Sequence, residues 1–290
     1  MNLGISLVKK AYHSTWRAFK AHPVVFLPFL IFALIDLISL IILYLAPSMP
    51  FKLLFGPIIR TFWGEAFLHY PSNFLLLSHL SSLARMVLSV VFGSLLTGMA
   101  VFLIFEIYNK KHLNLKAAFK TALKLYLYFF IIVFLMNMIY YFAGRLVNIG
   151  LYKYFVSGHT KLLFWGARAW LGPFLIAINM VIAVFVQALL IYAIPVLVVE
   201  KTKLLKSIIR SAVLFKQLFI PTIILVALPA LIYIPMIILN TNTSFLIQKF
   251  FPEFILLVAF LNVIISGLII DPLITAAATF LYLDHKEKRA

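Results

Sequence analysis

The sequence predicts an all-α polytopic membrane protein: about six transmembrane helices in three hairpins, with short amphipathic helices at the cytoplasmic interface. Three observations predict this. Hydrophobic residues make up 64% and charged residues 11%, with mean hydropathy +1.10, whereas a soluble domain is about half apolar and a quarter charged. Six stretches are long and almost free of charge, and roughly 20 such residues cross the ~30 Å hydrocarbon core as a helix. Nearly all of the 25 Lys and Arg lie between those stretches. Lipid offers no partner to an open sheet edge, so the spans must be helical.

The spans are read at 24–46, 86–108, 125–147, 171–199, 219–239 and 254–283. Before the first lies an amphipathic helix, 5–20. It carries Lys9, Lys10, Arg17 and Lys20 and lacks an apolar run, so no cleavable signal is expected and the first span reads as an uncleaved anchor. Residues 47–85 are too apolar to float free and, with Gly56, Pro57 and Pro71, too broken to cross. They read as a helix on the outer leaflet, with 73–84 extending the second span outward. Glu65, His69 and His79 fall in this segment without metal-ligand spacing. Amphipathic helices are expected again at 112–124 and 203–216, before the third and fifth spans. Lys116, Lys120 and Lys124 form one stripe; Lys203, Lys206 and Arg210 oppose Leu205, Ile208, Ile209, Ala212 and Val213. Pro221, Pro229 and Pro235 should bend the fifth span. Asn242-Thr243-Ser244 is a formal sequon beyond it.

The basic residues set the orientation. The N-terminal arm, 109–124, 200–216 and the C-terminal tail together hold 17, against 8 elsewhere. The positive-inside rule then puts both termini in the cytoplasm of a cell membrane, expected to be a bacterial inner membrane. A net charge of +17 concentrated on one membrane face implies anionic lipid headgroups as partner, not nucleic acid. Lys9, Lys10, Arg17, Lys20, Lys116, Lys120, Lys124, Lys203, Lys206 and Arg210 are the expected contacts. Trp16, Trp63, Tyr70, Tyr126, Tyr128, Trp165, Trp170 and Tyr282 read as interfacial anchors.

An acidic residue closes each outside-to-inside span: Glu106, Glu200 and Asp284. With the amphipathic helices these marks divide the one membrane domain, 1–290, into hairpins at roughly 1–108, 109–200 and 201–290, a degenerate triplication. Pairing of each acid with the adjacent Lys is the preferred reading, ahead of a ring of acids around a vestibule.

Two carboxylates fall inside spans, Asp36 and Asp271, each about 18–20 Å from the cytoplasmic boundary at 1.5 Å per residue. Asn137 and Gln187 count to a similar depth, and Gly93 and Ser94 mark it in the second span. Intramembrane charge is costly and points to function. Three readings compete: neutral carboxyls that hold helices together, a cation or proton site, and an acid/base pair for catalysis. The first is preferred, because the sequence offers no intramembrane Lys or Arg to pair with either Asp. No Walker loop, G-x-G-x-x-G, H-E-x-x-H or G-x-S-x-G is present, and there is no cysteine. Neither a metal nor a cofactor is expected.

The segment IPVLVVEKTKLLKSIIRSAVLFKQLFIP and the end ITAAATFLYLDHKEKR resemble the six-helix membrane domain associated with some glycerophosphoryl diester phosphodiesterases, and similar stand-alone bacterial membrane proteins. The matching features are Val199-Glu200 followed by Arg210-Ser211, Tyr282-Leu283-Asp284, and Ser14-Thr15-Trp16 with Phe19-Lys20 and His22-Pro23. The phosphodiesterase catalytic domain has no counterpart here. The resemblance implies a bacterial inner-membrane scaffold connected with lipid or envelope homeostasis. The sequence therefore leads to a non-catalytic, lipid-associated membrane protein. The first alternative is a transporter or transporter subunit for a small molecule, lipid or ion, using Asp36, Asn137, Gln187 and Asp271. The second is a membrane-embedded lipid-processing enzyme.

Overall fold

The computed structural model describes residues 2–157 and 165–288, with side chains over 4–150 and 172–288. The chain is an all-α polytopic membrane protein with six apolar spans: Pro23–Leu45, Ser72–Tyr108, Tyr126–Gly150, Gly172–Glu200, Phe219–Thr241 and Phe254–Glu287. Its α-helices are α1 (Asn2–Ala21), α2 (Leu27–Leu45), α3 (Phe51–Phe62), α4 (Ser72–Leu88), α5 (Ser94–Tyr108), α6 (Leu115–Lys124), α7 (Tyr126–Ser157), α8 (Trp165–Leu190), α9 (Ala193–Glu200), α10 (Leu204–Gln217), α11 (Phe219–Thr241), α12 (Thr243–Lys249), α13 (Phe254–Ile264) and α14 (Asp271–Glu287). The second span begins well before the expected residue 86, because α4 adds most of the preceding segment to it.

Every second span is interrupted. A π-helical stretch, Ser89–Gly93, joins α4 to α5, and another, Ile265–Ile270, joins α13 to α14. In the fourth span a two-residue turn separates α8 from α9. Pro195 and Pro272 account for two of these breaks. Each lacks the N–H that would reach back one turn, so the ladder must rearrange just before it.

The halves that follow the breaks, α5, α9 and α14, form the centre of the core. Leu103 and Ile104 of α5 share a cluster with Leu197 of α9 and with Ala276 and Phe280 of α14. Tyr192, at the N-cap of α9, and Val196 of α9 share a second cluster with Ala277 and Leu281 of α14. Each amphipathic helix buries small residues four apart, one above the other on a single face: Ala11 and Thr15 in α1, Ala118 and Ala122 in α6, Ser207 and Ser211 in α10. That face lets α6 lie on α5, α10 on α8 and α9, and α1 on α14 and α11. The Ser211 hydroxyl donates to the Leu189 carbonyl at 2.8 Å, and that of Tyr12 to the Leu225 carbonyl at 2.7 Å. Burial pushes the Tyr12 phenol above its ordinary pKa, so it remains a donor. The first amphipathic helix thus covers the last span, as α6 covers α5 and α10 covers α9.

Two expectations are corrected on the face that carries the termini. The closing acids reach beyond the adjacent lysines: Asp284 meets Lys10 of α1 at 2.7 Å and accepts from Tyr108 at 3.1 Å. Glu200 accepts from Tyr282 at 2.8 Å, and Glu106 from the Asn114 N–H at 3.3 Å. Tyr282 is therefore no interfacial anchor; it is 1% exposed, because its ring fills the gap between α14 and α9. Trp16, Tyr70 and Tyr128 are exposed, as anchors should be. The side chains of Trp165 and Trp170 lie outside the described residues.

At the opposite face α3 is seated by Ile59, which joins Ala46, Leu68 and Leu76. Leu53, Leu54 and Phe62 project outward, as a helix lying on a leaflet requires.

Candidate functional site

Asp36 comes from the middle of α2, and Asp271 opens α14 directly after the π-helical stretch. The approach of α2 to both π-helical stretches depends on glycine. A Cβ on Gly93 would stand 3.3 Å from the Phe32 ring, and one on Gly267 would stand 3.2 Å from Ala33. Phe32 and Ala33 lie one turn before Asp36, so this contact fixes where that carboxylate points.

Between the two carboxylates lies Arg85, from the last turn of α4. Its Nη1 is 3.2 Å from Asp36 Oδ2, and its Nη2 is 3.5 Å from Asp271 Oδ2. Nη1 also donates to the Asn262 carbonyl at 3.4 Å. Asn262 is held in turn: its side chain accepts from the Tyr233 hydroxyl, and its carbonyl from the Ser266 hydroxyl. The expectation that neither Asp has an intramembrane basic partner is thus wrong. Residue 85 was counted with the outer loop, since the serines and histidine at 78–82 dilute the apolar run of α4. The available signal was the absence of Gly and Pro from 72 to 92, which lets one helix run through.

On the other side of Asp271 is a cavity of about 210 Å³. It is lined by Asn137 of α7, Gln187 of α8, Thr97 of α5, Asp271 and Thr275 of α14, and Ser89, against an apolar wall that includes Phe29, Phe32, Ile132, Val133 and Met136. Three of the four residues expected to form the mid-membrane layer therefore share one cavity. Asp36 does not line it; it faces a small recess with Ser39, Ser81, Arg85 and Asn262. Asp36 is 6% exposed and Arg85 18%, while 41% of the Asp271 side chain is open. Toward the termini the cavity extends past Ile274 and Thr275, to Val101 and Ile194. Arg85 and Asn262 lie the other way along the helices. Asp271 stands at the inner end of the cavity, with Arg85 behind it.

The electrostatics follow from the count. Two carboxyl groups face one guanidinium, one acid in excess of base in a low-dielectric region; a proton on the carboxyls or an external cation balances it. The cavity side of Asp271 is where a balancing positive charge can enter. Among the described residues no group of three or more His, Cys, Asp or Glu could hold a metal ion.

The basic residues expected to meet lipid are all exposed, on α1, α6 and α10, although Lys10 is engaged by Asp284. Phe119, Leu123, Leu205 and Ile209 are exposed on the same helices. Compared with family models, curated proteins and solved structures, the chain matches none.

Proposed function

We propose that the protein is a membrane carrier that binds a small solute at mid-bilayer, in the cavity ended by Asp271, and exchanges it between the two sides. One observation carries this reading: a polar-lined cavity meets a cluster in which two carboxyl groups share one guanidinium. Arg85 supports it over the scaffold preferred from sequence, because carboxyls that only held helices together would not need a third, expensive charge. The interruptions of the second and sixth spans beside the cluster also support it, since broken helices at the midplane are how carriers expose polar groups to a solute. The carrier reading places the protein in the cell membrane with cytoplasmic termini, on the charge asymmetry of its two faces.

Native mass spectrometry of the protein released from nanodiscs, wild type beside Asp271→Asn, tests this. A discrete non-lipid adduct lost in the variant supports the carrier. Anionic lipids alone, retained equally by both, return the protein to the scaffold reading. A second property rests on its own observation: the exposed Lys and Arg interleaved with exposed Phe, Leu and Ile on α1, α6 and α10 suit helices lying in an anionic headgroup layer.

A further inference from the structure

We propose that the ligand of the cavity is a small amphipathic organic monocation, its charged head on Asp271 and its apolar body against Phe29, Phe32 and Met136. This rests on the reading of the cavity as a binding site. Four observations select the class.

Charge comes first. The carboxylate at the end of the cavity is only partly compensated, since the nearest guanidinium lies 3.2 Å from Asp36 and 3.5 Å from Asp271. With both carboxyls ionised, a single positive charge restores balance and a second overshoots it. An anion finds no partner, because Arg85 is committed to two carboxylates and a carbonyl and is not among the lining residues.

The lining then separates organic from inorganic cations. Stripped of their waters, Ca²⁺ and Mg²⁺ would need about six or more oxygen ligands from the wall. Here the polar groups are Ser89, Thr97, Asn137, Gln187, Asp271 and Thr275, set in a wall with more than twice as many other residues. A bare metal ion would touch mostly carbon, whereas an ammonium with a hydrocarbon body matches both parts of the wall.

Phe29 and Phe32 add aromatic rings to the lining, and aromatic rings attract cations. Volume sets the size. A dry engineered cavity of about 150 Å³ admits benzene, so about 210 Å³ admits a benzene ring with a short amine arm.

The probes are 2-phenylethylammonium, its neutral analogue 2-phenylethanol and the anion phenylacetate, titrated calorimetrically into protein in nanodiscs with empty nanodiscs subtracted. The expected result is saturable one-to-one binding of the cation, with the alcohol and the anion about tenfold or more weaker, and loss of cation binding in Asp271→Asn. Equal binding of the alcohol or the anion would overturn the cationic class while leaving the cavity as a binding site. Absence of one-to-one binding by all three would overturn the class and the ligand-cavity reading together. Should Asp271→Asn not fold, the three-probe series on the wild type decides alone.

Discussion

Arg85 and Asp36 approach to 3.2 Å from helices separated in the chain by an entire outer segment, and both are largely withdrawn from solvent. Such a pair is poor evidence for stability in its own right, but removing one partner strands the other. Arg85→Met is therefore expected to destabilise the protein by about 3–5 kcal/mol, the typical cost of an orphaned buried charge. Adding Asp36→Asn and Asp271→Asn to it should restore most of the loss. Thermal unfolding in nanodiscs reads both; an unchanged melting temperature for Arg85→Met alone would refute the cluster.

Gly98 of α5 faces the ring of Phe129 on α7 so closely that a Cβ would overlap it. Gly98→Ala should cost about 1–3 kcal/mol, as overpacking does. Phe129→Leu should remove most of that penalty when the two changes are combined. Additive losses in the melting curves would mean that the two helices do not meet there.

Glu65 lies outside the spans and accepts from Arg60, and that hydrogen bond, with the adjacent positive charge, holds its carboxyl below the ordinary carboxylate value. A lowered folded value means that the pairing is fully present above the ordinary range and is lost as pH falls through the lowered one. Arg60→Leu should bring the Glu65 titration upward, as read by carboxyl-labelled NMR. The group is exposed, so no change in overall stability is expected.

The chain contains no cysteine, so single replacements report topology cleanly. Cysteine at Lys116, Lys203 or Lys286 should react with a membrane-impermeant maleimide only after cells are opened. Cysteine at Glu65 should react in intact cells. The reverse pattern would overturn the orientation drawn from the basic residues.

Replacing Lys116, Lys120, Lys203 and Lys206 together by Gln should weaken association with vesicle lipids in proportion to their anionic content, by roughly 1 kcal/mol per charge near the surface. Native mass spectrometry of retained lipids measures it. Retention equal to the wild type would show that these helices are solvated rather than interfacial.

The spans were legible because hydropathy reads them directly: the first, fifth and sixth begin and end within a few residues of the expected positions, as do the start of the third and the end of the fourth. The depth of Asp36, Asn137, Gln187 and Asp271 was also legible, being a matter of counting along helices of known rise. Lateral neighbourhood was not. Whether Asn137 and Gln187 share a cavity with Asp271, or Asp36 faces away from it, depends on how helices rotate about their axes, and charge-free spans carry little periodic signal to fix that. Arg85 was missed because a charged residue at the edge of an apolar run looks like the end of a span. Tyr282 was misread for a related reason: near a span end, an aromatic that meets lipid headgroups and one that plugs a helix contact have the same local sequence.

The seating of α1 has a consequence for the order of assembly. Its small-residue face, Ala11 and Thr15, is covered by α14 and α11, and Tyr12 bonds to Leu225. All of these are made long after α1 leaves the ribosome. Helix α1 must wait on the membrane surface, one side bare, until α11 and α14 have been inserted. Synthesis is sequential, and the seat of α1 is completed only at a late step.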